Sequence, residues 1–380
     1  MGPIKLDRRS LLTVLGSVAV GGAARAAAPA RPAARSAYER AIVINGQGSV
    51  SDPDPNAKPD DPPSKRMFDE VRASGVTAIS TTVGEVGNGP DRYLHALDYL
   101  ALYSSLAANS PDLFMTILRG SDLALAKRNG RLGLIYNLQD TTALETDLSR
   151  VRALRQAGVR VIQLTYNKRN LCGDGALEAA NSGLSDFGHE VIAELEKNKV
   201  QLDLSHGGQK TIAEAIAAAK VPPTISHTGC RDLVDNPRNV YDRELRALAD
   251  KGGVVGIYFM PFLRNGGMAT SEDVIRHLEH AVKVCGEDHV GIGTDGKLSA
   301  LVMDDKARER QRKFYETRKA QGLAAPGEAA DVFNIVVDYN SHRRFENLAN
   351  DLSRRGWPWS RIEKILGSNF ARVFTQAWGG

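Results

Sequence analysis

The sequence predicts an α/β chain folded as a (β/α)8 TIM barrel. Eight short apolar, β-branched runs recur, each followed by a loop and an amphipathic helical pattern, over about 350 residues. The runs are continuously apolar, as strands of a parallel sheet buried on both faces require. Three of the later runs end in a potential metal ligand, at the end of the strands where such barrels build their sites. With 42% hydrophobic and 25% charged residues among 380, the chain can bury a large core, and a collagen-like, disordered or low-complexity protein is excluded.

The first segment, residues 1–28, reads as a Tat-type export signal. Arg8 and Arg9 precede a weakly apolar run at 11–24, and Ala26-Ala27-Ala28 offers a small-residue cleavage site. The run is too short and too rich in Gly and Ala for a permanent membrane anchor. A periplasmic or otherwise exported protein is expected, and Tat export of folded chains allows a metal to be loaded beforehand. Residues 29–37, rich in Pro and Ala, read as a flexible leader. Of the net charge of +4, +3 lies in residues 1–28. The remainder gives no electrostatic reason to expect nucleic acid. Cys172, Cys230 and Cys285 have no CxxC spacing and are too few for a disulfide framework.

The domain then runs from 38 to 380. Strands are expected at 41–45, 76–82, 132–138, 159–166, 201–206, 224–227, 253–259 and 290–295. Helices are expected at 91–108, 144–156, 187–197, 209–219 and 271–285. A doubly wound sheet would want a glycine-rich phosphate loop after the first strand, and Asn45-Gly46-Gln47-Gly48-Ser49 is not GxGxxG. The charged stretch 306–328 reads as a surface insertion after the eighth strand. The segment 359–377 reads as helix packed outside the barrel.

His206 closes Asp203-Leu204-Ser205, His227 closes Thr224-Ile225-Ser226, and Asp295 closes Gly291-Ile292-Gly293-Thr294. Either histidine alone would be a polar cap on the next helix. Three at one topological position point to a zinc site with an open coordination position. His277 and His280 share a helix face that reads as solvated.

The stretches GVRVIQLTYNKRN, GLSDFG, VQLDLSH, PTISHTGCRDLVDNPRNV, GGVVGIYF and VGIGTD together resemble the membrane (renal-type) dipeptidases of the amidohydrolase superfamily, in order from about Ala41 to Phe374. The resemblance implies a barrel with a two-zinc centre that hydrolyses dipeptides, some with a C-terminal D-residue. By motif, His206 and His227 match the histidines of the second zinc. Asp295 matches the catalytic acid/base, and Arg238 the arginine that holds the substrate carboxylate. Tyr166 stands where the family has a substrate-facing histidine. The first-zinc ligands are replaced: Gln47 and Ser49 occupy the His and Asp positions, and Gln139 that of the bridging Glu. Neutral amide and hydroxyl oxygens are weak zinc ligands. The period-2 alternation of a strand turns Asp140 away from the site.

Two functions follow. One is an exported dipeptidase-like metallohydrolase with one zinc on His206, His227 and Asp295, acting on a dipeptide or similar small peptide. The other is a catalytically impaired relative, without zinc, that binds peptides or serves as a maturation factor. A homodimer is left open.

Overall fold

The computed structural model describes residues 36–54, 56–58 and 61–379. The expected export signal, 1–28, lies outside them, as does the leader apart from its last two residues. Those two are already folded: the Ser36 hydroxyl accepts from Glu39 N at 3.1 Å and caps the helix Ala37–Arg40.

Ten strands form one sheet: β1 (Ile44–Ser49), β2 (Ala78–Thr82), β3 (Phe114–Thr116), β4 (Leu132–Leu138), β5 (Val159–Gln163), β6 (Gln201–Asp203), β7 (Thr224–Thr228), β8 (Val254–Ile257), β9 (Val290–Ile292) and β10 (Gly296–Lys297). All pairings are parallel, in the order β10-β1-β2-β4-β5-β6-β7-β8-β9. β9 and β10 are two pieces of one strand, broken at residues 293–295. β9 pairs with β8 while β10 pairs with β1 through Gly48↔Gly296 and Ser49↔Lys297. The sheet therefore returns to its first strand, and the eight-stranded expectation holds at each expected position. β3 is additional; it pairs only with the start of β4.

Alternation along each strand sorts the barrel interior into layers. At the N-terminal end, Ile44, Ala78, Ile135, Val161 and Val254 pack with Phe370 and Phe374. One step up, the interior turns polar with Ser80, Gln47 and Asn137. His206, His227 and Asp295 follow at the C-terminal ends.

The C-terminal helix Asn369–Trp378 closes the lower mouth rather than packing outside. Phe370 lies against Gly46 of β1 and Gly291 of β9, where an added Cβ would meet the ring at 2.6 Å in each case. Asn369 Nδ2 donates to Val290 O, and Trp378 Nε1 donates to Arg160 O on β5. His277 also departs from expectation. It is buried, with Nδ1 accepting from Cys230 N and Nε2 donating to Leu263 O, so it ties a helix to the loops above it.

Candidate metal centre and active site

Each site residue follows from its strand. His206 sits beyond β6 and Asp295 at the break between β9 and β10. Both take left-handed backbone conformations, φ 61° and 53°, which residues with a Cβ adopt rarely and mostly where function holds them. His227 lies within β7. Their ligand atoms all fall within 4.8 Å of one another.

The histidines are held in one tautomer by outer partners. Asn167 donates its Nδ2 to Leu323 O at 2.7 Å, so its Oδ1 must accept from His206 Nδ1–H at 2.6 Å. Ser226 donates to Asp203 Oδ2 at 2.6 Å and therefore accepts from His227 Nδ1–H at 2.9 Å. Both Nε2 atoms carry free lone pairs, buried and without a partner. Burial first, then the charge of Arg238, holds both imidazoles well below their ordinary pKa. They are neutral, as ligands must be. Burial pushes the Asp295 carboxyl up to about 6, against the pull of Arg238 and Arg318. Two orphaned imidazole nitrogens beside a carboxylate fit one divalent metal.

Gln47, Ser49 and Gln139, where the sequence resemblance implies the first metal's ligands would stand, do not form a metal site. Gln47 donates to Thr82 Oγ1 at 3.0 Å and accepts from Asn137 Nδ2 at 3.0 Å. Gln139 donates to the same Thr82 hydroxyl at 2.8 Å, and Asn137 also donates to Ser80. These side chains bond to each other, and no carboxylate or imidazole enters the group. Ser49 lines a cavity that Asp295 also borders. Asp140 accepts from Gly87 N, Thr142 N and Thr142 Oγ1, away from the site as the alternation requires.

Arg238 is 3% exposed. A surface pairing with Asp235 or Asp242 is excluded: Asp235 binds Arg231 at 2.7 Å, and Asp242 binds His280 and Arg246. Among the described residues no carboxylate lies within ion-pair distance of Arg238. Tyr166 stacks on His206 with ring centroids 4.1 Å apart.

The charged insertion is more than surface. Its helix, Asp305–Ala320, turns Arg318 inward, where Nη1 donates to Tyr166 Oη at 3.1 Å. Glu328 holds that guanidinium at 2.7 and 2.9 Å. Arg318, Glu328 and Asn167 are absent from the sequence reading. Asn167 was findable, as the neighbour of Tyr166 in the TYNKRN stretch. Arg318 is one cation among many in a charged run and gives no signal of its own.

A sequence profile of the membrane dipeptidase family (peptidase family M19) matches residues 60–305. The chain belongs to the membrane dipeptidase family. Among solved structures, it is similar to an amidohydrolase from Pseudomonas aeruginosa, with 30% identity, a TM-score of 0.77, and coverage of 90% of this chain and 98% of that one. A metallopeptidase from Rhodobacter sphaeroides, solved with a phosphinate mimic of the dipeptide L-Ala-D-Ala, shares the fold at 16% identity and a TM-score of 0.67. That match covers 89% of this chain and all of the other. The dipeptidase tcpJ of Claviceps purpurea is 31% identical over 264 residues, which is 68% of this chain and 54% of that protein. The comparisons support a metallodipeptidase-like hydrolase on a barrel of the amidohydrolase kind, in a family that is typically metal-dependent. Within that family this barrel carries a cluster of mutually bonded amides at Gln47, Asn137 and the neighbouring Gln139.

Proposed function

We propose that this chain is an exported hydrolase that cleaves the peptide bond of dipeptides using one zinc ion held by His206, His227 and Asp295. The observation that carries the reading is the pair of buried, unpartnered Nε2 atoms beside Asp295, all within 4.8 Å, next to a buried arginine without a counter-ion. A zinc ion there would supply Lewis-acid polarisation of the scissile carbonyl. The protein's own groups do the rest. Arg238 receives the C-terminal carboxylate of the substrate through two parallel hydrogen bonds. Tyr166 Oη accepts from Arg318 and so keeps its own proton for the carbonyl oxygen. Asp295, which would give one oxygen to the metal, has its second oxygen to take the proton of the attacking water and return it to the leaving amine. Export rests on Arg8, Arg9 and the weakly apolar run that follows.

A second reading, a peptide-binding or maturation factor, draws on the amide cluster at Gln47 and Gln139 and on the closed surroundings of both Nε2 atoms. Elemental analysis with a dipeptide screen separates the two. The hydrolase reading expects about one zinc per chain, and loss of both metal and turnover in His206→Ala. A metal-free protein inert on every dipeptide gives the binding reading. Full metal content in His206→Ala removes the site as assigned.

A further inference from the structure

A cavity of about 430 Å3 borders Asp295, and neither Arg238 nor either histidine is among its lining residues. Its walls come from the ends of β1, β8 and β10 and from the inserted segment after them. Phe259, Phe314 and Phe333 make them largely apolar.

The charges on these walls are lopsided. Lys297 and Arg310, both exposed, line the cavity, and neither side chain makes an ion pair or hydrogen bond among the described residues. Arg344, the third cation, is occupied by the carbonyls of Leu298, Ser299 and Ser341. Asp295 is the one carboxylate on the wall. In addition, Asn334 Oδ1 is buried there without a donor. A ligand completing this wall brings an anion for the two cations, methylenes for the phenylalanines and an N–H for Asn334.

Resting on the dipeptidase reading, we infer that this cavity receives the N-terminal half of the substrate and selects an acidic side chain there. Asp295 belongs both to the group with the two histidines and to the cavity wall, which Arg238 does not line. A dipeptide whose carboxylate rests on Arg238 and whose peptide bond lies at Asp295 would therefore extend its acyl residue into the cavity. Its amino group meets Asn334 Oδ1, and an aspartate or glutamate side chain reaches Lys297 and Arg310. A lysine or arginine side chain there would face two unpaired cations, and like charges brought together at this cavity mouth are disfavoured.

The test compares Glu-Ala, Gln-Ala and Lys-Ala, each with L- and D-alanine, on zinc-loaded protein and on the double variant Lys297→Glu with Arg310→Glu. The expected order of kcat/KM is Glu-Ala, then Gln-Ala, then Lys-Ala, with steps of about fivefold, the scale of one partly exposed ion pair. The double variant inverts that order, chiefly through KM. The milder pair Lys297→Gln with Arg310→Gln flattens it, and serves should the reversal impair folding. Equal handling of Glu-Ala and Lys-Ala, or an order unchanged in the variants, overturns the inference and leaves the hydrolase reading standing. If no dipeptide is cleaved, the hydrolase reading falls by itself, and calorimetric affinities of the same three peptides decide the cavity. The same order and inversion sustain it; equal affinities or no binding overturn it.

Discussion

A guanidinium taken out of water without a counter-ion costs several kcal/mol, and Arg238 is 3% exposed with no such partner among the described residues. Burial pulls its pKa below the ordinary arginine range, yet the group stays cationic at neutral pH. Such a charge is explained by an anion that arrives. Lysine keeps the charge but loses the planar fork, so Arg238→Lys should weaken free-carboxylate dipeptides by about 2–3 kcal/mol while leaving C-terminally amidated analogues unchanged. Calorimetry on one dipeptide and its amide checks this, and unchanged discrimination would take Arg238 out of the site. At this scale the sequence was legible wherever a polar residue ends a strand, as His206, His227 and Asp295 do. It was silent on what holds them, because Asn167 and Ser226 act through a single hydrogen bond that any Asn or Ser could make.

Among elements, the strands were readable because continuous apolar runs bounded by Gly and Asn have few other uses. β3 escaped because three residues pairing with one end of β4 carry no periodicity. The C-terminal helix was readable as a helix but not as a floor: its aromatic face could have packed on any apolar surface. Only the glycines opposite it, Gly46 and Gly291, reveal that Phe370 enters the barrel. Phe370→Ala should therefore destabilise the fold by about 3–5 kcal/mol, since the opening it leaves is walled by strands that cannot collapse. Urea unfolding measures this. A loss below about 1 kcal/mol would mean the ring does not support the barrel. The insertion was misjudged for a related reason: its helix is indeed charged and largely exposed, and the buried contacts are made by one arginine and by Glu328 beyond its end.

At the level of the molecule, the proposed Tat route makes the folded domain the exported species. Arg8→Lys combined with Arg9→Lys should leave a folded protein in the cytoplasm; normal recovery of that variant from the periplasm would refute the route. The domain itself is held closed unevenly. β4 is paired along both edges, whereas the join between first and last strands has two residue pairs and the amides of Asp295 and Leu298, which donate to Gln47 O and Ser49 O. β6 and β7 share one residue pair. Opening free energy follows local pairing, so the barrel has two lightly paired joins, and one of them runs through Asp295. Its amide and that of Leu298 should then trade protons for solvent deuterium ahead of the amides of β4. Any ligand that settles on Asp295 slows that trade, so a lightly stitched join doubles as a gauge of occupancy.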